Sequence, residues 1–162
     1  MASKDNLKQY NKKRDFSKTS EPSSAKSSKK QSKASKTEKL FVVQEHNASH
    51  LHWDFRLEID GVLKSWAIPK QPPKQKNLKR LAIETEDHPL GYENFEGTIP
   101  EGNYGAGKVK IWDKGTYELL EIEENKKIEF NLNGKQLKGK YVLIKTSYGN
   151  KPEKSWLFFK VD

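Results

Sequence analysis

From Leu51 to Glu58 apolar and polar residues alternate without a break, with Leu51, Trp53, Phe55 and Leu57 on one parity and His52, Asp54, Arg56 and Glu58 on the other. A period of two is that of a β-strand, whose successive side chains point to opposite faces. The segment therefore reads as a strand with one buried face. Short runs of similar character predict strands over 40–45, 50–59, 62–67, 80–84, 108–113, 115–120, 127–132, 139–145 and 155–160. Turn sequences separate them: Asp60-Gly61, the proline-rich stretch 69–73, Glu101-Gly102-Asn103, Asp113-Lys114-Gly115, Asn133-Gly134 and Tyr148-Gly149-Asn150. Many short strands joined by Gly and Asn turns predict an all-β barrel or sandwich in place of βαβ units. Trp53, Trp66, Trp112 and Trp156 are assigned to the core of that domain.

The pattern fails over residues 17–39, a run of Ser, Lys, Thr, Ala and a few others without one aromatic residue. Such a segment buries too little apolar surface to offset the entropy of ordering, and it is predicted to be disordered. Upstream, Leu7, Tyr10, Arg14, Asp15 and Phe16 form an island predicted to be a short helix or arm docked on the body. The expected organisation is an arm over 1–22, a Lys/Ser-rich linker over 23–39 and a single β-domain over 40–162.

Charge follows the same division. Residues 1–39 carry twelve Lys and Arg against four Asp and Glu, whereas residues 40–162 carry nineteen against eighteen. The basic tail over 1–39 is thus the source of bulk positive charge, and it is expected to add salt-dependent, sequence-independent DNA affinity. A specific anion site in the body has to come from placed residues. The chain has no cysteine, so disulfides and thiolate metal sites are excluded and any metal must use nitrogen and oxygen ligands. No apolar run approaches the roughly 20 residues that span a bilayer, and the N-terminus has no secretory apolar segment. A soluble, intracellular protein is expected.

Three of the four histidines fall between His46 and His52, followed at once by Asp54 and Arg56. The polar kink Asn47-Ala48-Ser49 can bring the end of one strand beside the start of the next. His46, His52 and Asp54 would then supply two nitrogens and a carboxylate to a divalent metal, leaving positions for substrate and water. His50 is the spare, expected to be outside the ligand set or exposed. The guanidinium of Arg56 suits a phosphate oxygen. A second concentration, Glu84 to Tyr92, predicts a strand end that delivers His88 and Tyr92 on a loop, where an imidazole can protonate a leaving oxygen or stabilise growing charge. The glycine-rich run 97–107 matches neither the phosphate-cradling loop nor the dinucleotide fingerprint and reads as a tight loop.

These residues carry a resemblance. The Arg14-Asp15-Phe16…Thr19…Glu21-Pro22 arm, His46…His52-Trp53-Asp54-Phe55-Arg56-Leu57-Glu58, Gly61 to Lys70, Glu86-Asp87-His88-Pro89-Leu90-Gly91-Tyr92 and Phe95-Glu96-Gly97-Thr98-Ile99-Pro100 together resemble the 3′-phosphoesterase module of bacterial DNA ligase D. That module also exists as a free-standing protein, the form expected here. The resemblance implies a closed β-barrel that binds manganese, or another divalent transition metal, and the 3′ end of a primer strand in non-homologous end joining. It implies removal of a terminal ribonucleoside to leave a 3′-phosphate, then removal of that phosphate to leave a 3′-hydroxyl. By the same resemblance His46, His52 and Asp54 are the metal ligands. Arg56 holds the scissile phosphate with Lys70 and Arg80, His88 stabilises the transition state, and Tyr92 orients phosphate or His88. Arg14, Asp15, Glu21, Gln44 and Glu86 are implied to support the nuclease step. Implied partners are primer-template or RNA-tailed DNA ends, with a DNA ligase, a polymerase and Ku acting in trans, in a prokaryotic cytoplasm at the nucleoid.

Two other readings compete with this one. The ligand set alone permits a two-His-one-carboxylate iron oxygenase on a barrel, against which stand Arg56, Lys70 and Arg80 placed for an anion. A nucleic-acid-binding barrel without catalysis is the alternative of a different class.

Overall fold

In the computed structural model the chain is described over residues 7–19, 21 and 39–162. The linker predicted over 23–39 lies outside those residues, except that Lys39 begins the first strand; Pro22 lies outside them as well. One short helix, α1 (Lys8–Lys12), precedes nine strands. These are β1 (Lys39–Asn47), β2 (Leu51–Ile59), β3 (Val62–Ile68), β4 (Arg80–Pro89), β5 (Gly97–Ile99), β6 (Gly107–Glu123), β7 (Lys127–Asn133), β8 (Lys138–Lys145) and β9 (Ser155–Lys160).

The strands follow the order β1-β2-β3-β4-β9-β8-β7-β6, and β6 returns to pair with β1. Every pairing is antiparallel, so the sheet closes into an eight-stranded barrel without free edges. β5 is a short ninth strand laid on the start of β6. Inside the barrel the alternate parity delivers Phe41, Val43, Phe55, Leu57, Trp66, Phe130 and Phe158 to one core. Phe55 sits at its centre, with ring centroids 4.7 Å from Phe158 and 5.8 Å from Phe130. Each such side chain taken from water contributes about 1.5–3 kcal/mol.

The opposite parity of β1–β4 points outward yet is not solvated. Asp54 and Arg56 are only 8% and 3% exposed. The single buried face read from the alternation of β2 is therefore corrected to two. The cover comes from distant chain. Residues 90–107 run from the end of β4 to the start of β6 across the outside of the barrel, and α1 packs beside them. Tyr10, Leu63, Tyr92, Phe95, Ile99 and Val109 form a second apolar cluster under this roof. Strand periodicity reports alternation only, so it cannot show that a roof from elsewhere will close the polar side.

Three strand boundaries also differ from the sequence reading. β4 continues past Glu84 to Pro89, so His88 lies on a strand instead of a loop. A bulge on β4 accommodates this: Leu63 pairs with His88 and Ser65 with Thr85, leaving Glu86 and Asp87 opposite a single residue. The predicted strands 108–113 and 115–120 are one 17-residue strand, and Asp113-Lys114-Gly115 is not a turn. Asp113 looks like a turn residue but acts across the sheet, its buried carboxylate accepting the N–H groups of Lys135, Gln136 and Leu137. Gly115 is required there because a Cβ would lie 2.2 Å from the Asn133 carbonyl oxygen. Finally, Gly97–Ile99 is a strand within the segment expected to be loop.

Candidate metal and phosphate site

The β1–β2 turn aligns His46 directly with His52 and Gln44 with Asp54. One ligand atom from each of His46, His52 and Asp54 falls within a 4.8 Å cluster. The hydrogen bonds around the two imidazoles decide what this cluster asks for. His46 Nε2 lies 2.7 Å from the Gly105 carbonyl oxygen, and His52 Nδ1 lies 3.1 Å from the His50 carbonyl oxygen. A carbonyl can only accept, so each of these nitrogens carries the proton and donates. The remaining nitrogens, His46 Nδ1 and His52 Nε2, then turn lone pairs toward Asp54, at 3.3 Å and 3.2 Å from its two carboxylate oxygens. Acceptors facing acceptors at this distance call for a cation between them, either extra protons or a metal ion. Backbone carbonyls holding the far N–H of each imidazole are the usual support of histidine metal ligands. The donor set thus fits a divalent ion with N₂O ligation.

Electrostatics agree with that assignment. Burial alone would raise the Asp54 pKa, but its polar contacts with His46 and His52 and the nearby Arg56 charge outweigh that and hold it well below the usual carboxylate range. Burial likewise opposes protonation of His52, and Asp54 outweighs it, so His52 is held above its ordinary value.

Beside the triad, Arg56 is fixed on four sides. Its Nε donates to Gln44 Oε1 at 2.7 Å, one terminal nitrogen donates to Ser65 Oγ at 2.9 Å, and the other lies 3.6 Å from Asp54. Its guanidinium carbon stands 4.8 Å over the Tyr92 ring. Gln44 in turn donates to the carbonyls of Tyr92 and Phe95, tying the strand to the roof.

His88 is the centre of the second half. Arg14 reaches its Nε2 at 3.3 Å, and its Nδ1 lies 3.0 Å from the Glu86 carbonyl oxygen. Arg56 also reaches the His88 Nδ1 at 3.2 Å, so guanidinium donors face both ring nitrogens and disfavour a second ring proton, which keeps His88 neutral. Burial, followed by the charges of Arg56 and Arg14, depresses its pKa well below the ordinary histidine value. The arm brings the carboxylates that balance these cations. Glu21 accepts from Arg14 at 3.0 Å, from Thr19 at 3.0 Å and from the Tyr92 hydroxyl. Glu86 accepts from Arg14 and Lys13, both at 3.1 Å.

A cleft of about 290 Å³ opens onto this arrangement, lined among others by Arg14, Asp54, Arg56, His88, Tyr92 and Tyr104. Of the residues singled out in the sequence, His46, His52, Glu21 and Glu86 line it as well. Gln44 acts from beneath through Arg56. Asp15 is exposed and holds the turn of the arm by accepting from Ser17. Lys70 and Arg80 do not line the cleft. Lys70 stands on the β3–β4 connection and Arg80 opens β4, at the barrel end shared with the β1–β2 turn, where Arg80 Nε donates to the Gln71 carbonyl. His50 is exposed and offers only its carbonyl.

Sequence reading missed Ser65, Lys13, Tyr104 and the Gly105 carbonyl. Only the last two had a signal, the glycine-rich run itself. Tyr104, 46% exposed at the cleft rim, lies under Lys13, whose Nζ is 4.6 Å from the ring centre.

A closed barrel carrying a His-His-Asp cluster beside two buried guanidiniums on its outer face defines a candidate metal-and-anion centre. The chain belongs to the DNA ligase D 3′-phosphoesterase domain family, whose profile matches residues 44–145. It is 45% identical over 164 residues to the multifunctional non-homologous end joining protein LigD of Pseudomonas aeruginosa, covering 99% of this chain and 19% of that protein. To the LigD end joining DNA repair protein of Mycobacterium tuberculosis it is 48% identical over 146 residues, covering 88% and 19%. To LigD of Mycolicibacterium smegmatis it is 42% identical over 163 residues, covering 94% and 20%. The chain therefore spans about a fifth of the length of these relatives. Among the described residues no helix is long and apolar enough to cross a membrane.

Proposed function

We propose that this chain is a manganese-dependent 3′-phosphoesterase that heals DNA 3′ ends for non-homologous end joining. It would release a terminal ribonucleoside by hydrolysing the phosphodiester at the P–O5′ bond, leaving a 3′-phosphate. It would then hydrolyse that monoester at the P–O3′ bond, leaving a 3′-hydroxyl. The observation that carries this reading is the pair of imidazole lone pairs aimed at Asp54 with Arg56 3.6 Å from the same carboxylate. A cation site and an anion site thus share one wall.

His46, His52 and Asp54 would hold the metal, which supplies Lewis-acid polarisation of the phosphoryl oxygen and acidification of a bound water. Arg56, locked by Gln44 and Ser65, holds phosphate oxygens through an in-line displacement. His88 faces the same oxygens. In the free site it is kept neutral by two guanidiniums, and an arriving phosphate offsets those charges, letting the imidazole take up a proton and donate to the reacting group. Tyr92 orients Arg56 from below. Lys70 and Arg80 take a phosphate further along the strand at the open barrel end. Arg14, Glu21 and Glu86, with Gln44 beneath and Asp15 shaping the arm, receive the terminal nucleoside in the diesterase step.

The test uses a primer–template with a labelled 3′-phosphate primer and, in parallel, one ending in a single ribonucleotide. Each is incubated with manganese or EDTA, using wild type and Asp54→Ala. Metal-dependent conversion to a 3′-hydroxyl that is lost in the variant supports the assignment. A folded, metal-loaded wild type that converts neither substrate overturns it in favour of a binding barrel.

A further inference from the structure

The connection between β3 and β4, residues 69–80, carries Lys70, Lys74, Lys76, Lys79 and Arg80 with no acidic and no aromatic residue. The rest of the body is net acidic, because residues 40–162 as a whole hold nineteen basic and eighteen acidic side chains. Lys64, Lys127 and Lys140 on the strands are paired with carboxylates. Among the described residues no ion pair involves any of the five cations of the connection.

This is an ordered surface. Pro72 and Pro73 are buried, and Tyr141 donates to the Pro73 carbonyl at 2.7 Å. The Asn77 N–H bonds the Lys160 carbonyl, and Arg80 closes the loop onto Gln71. Lys74 and Lys79 are steadied over the rings of Trp112 and Phe159, at 5.7 Å and 5.1 Å. Strand direction alternates around the barrel, so this connection shares an end with the β1–β2 turn that places His46 and His52. The β6–β7 hairpin, with Glu121, Glu123 and Glu124, falls at the other end. The barrel is thus electrically polarised, with its positive end at the mouth of the candidate site, an arrangement that steers and orients a polyanion.

We infer that the 69–80 connection is a docking surface for the phosphodiester backbone of duplex DNA adjoining the processed 3′ end. The inference rests on the proposed end-healing function. Duplex is favoured over single strand because single-strand sites present free aromatic stacking platforms beside their cations. Residues 69–80 carry no aromatic side chain, and the neighbouring rings of Trp112 and Phe159 lie beneath Lys74 and Lys79.

The experiment measures anisotropy of a labelled duplex ending in 3′-phosphate, in EDTA, across a salt titration. It compares the full chain with K74Q/K76Q/K79Q and K74R/K76R/K79R, which leave Lys70 and Arg80 in place. The Gln variant is expected to bind about 10–100-fold more weakly at low salt and to lower the slope of log K against log salt by about 2–3, roughly one per phosphate contact. The Arg variant is expected to bind as wild type. Hydrolysis of a nucleoside 3′-phosphate, too small to reach the loop, should be equal in all three. An unchanged slope in the Gln variant overturns the inference, as does equal loss in the Arg variant. If wild type hydrolyses neither DNA end yet shows the slope difference, the docking surface stands and the catalytic reading falls. Hydrolysis with no slope difference has the reverse meaning.

Discussion

His46 Nε2 donates to the carbonyl oxygen of Gly105, 59 residues further along the chain, at 2.7 Å. The glycine-rich run is thereby part of the candidate metal site, because this bond sets which imidazole nitrogen faces Asp54. Gly105 has φ of 76°, a left-handed conformation that a β-branched residue adopts only at considerable cost. Gly105→Val should shift that carbonyl and weaken manganese binding by about 10–100-fold, the usual effect of losing a metal ligand's supporting partner. His50→Ala retains the only group His50 contributes, its backbone carbonyl, and should leave affinity unchanged. Isothermal titration calorimetry of the two variants checks both statements.

Metal binding should also release protons. With no metal, a proton shared with Asp54 answers the lone pair of His52, which is held above its ordinary pKa. A metal replaces that proton. Titrations near neutral pH in buffers of different ionisation enthalpy should show net release, and Asp54→Asn should lose both the release and the binding. Metal at a hundredfold excess over its Kd should raise unfolding free energy by about 2.7 kcal/mol, removable by EDTA.

Arg56 is buried in a web of partners, so its loss should be felt first as instability. Arg56→Ala strands Gln44 Oε1 and weakens the compensation of Asp54, at a cost of about 3–5 kcal/mol in chemical denaturation. Arg56→Lys keeps the charge but not the fork to Gln44 and Ser65. It should fold, bind metal, and lose about 10²-fold or more in turnover.

His88 should make the fold acid-sensitive above the carboxylate range. Its folded pKa lies well below the ordinary value of about 6.5 that it regains on unfolding. Between the two, the unfolded chain binds more protons, so stability is fully present above about pH 6.5 and falls as pH drops. His88→Gln should flatten that part of a profile of Tm against pH. Inorganic phosphate should raise the His88 pKa in wild type by offsetting Arg14 and Arg56, a shift that NMR titration of the imidazole would detect. A pKa indifferent to phosphate would remove His88 from the anion site.

Much of this protein was legible along the chain. The alternation from Leu51 to Glu58 determined β2 and its two faces, and a two-residue step put His52, Asp54 and Arg56 on one side of it. The turn 47–51 was short enough to return His46 to His52. These are local facts, set by backbone geometry within a hairpin, and local pattern carries them. Gly, Asn and Pro likewise marked most strand ends, because their conformational preferences act within a few residues.

What tertiary structure alone decided is whatever joins segments far apart in sequence. Periodicity showed that Arg56 and Asp54 share a face, but only the roof of residues 90–107 and the arm made that face dry, which is why their charges act strongly on His88. The strand that carries His88 looked finished at Glu84, since a bulge breaks the alternation that would have extended it. Asp113 resembled a turn residue because the N–H groups it accepts belong to a loop more than twenty positions away. Side-chain parity is encoded residue by residue, whereas burial, tautomer and electrostatic surroundings depend on which distant chain closes over them.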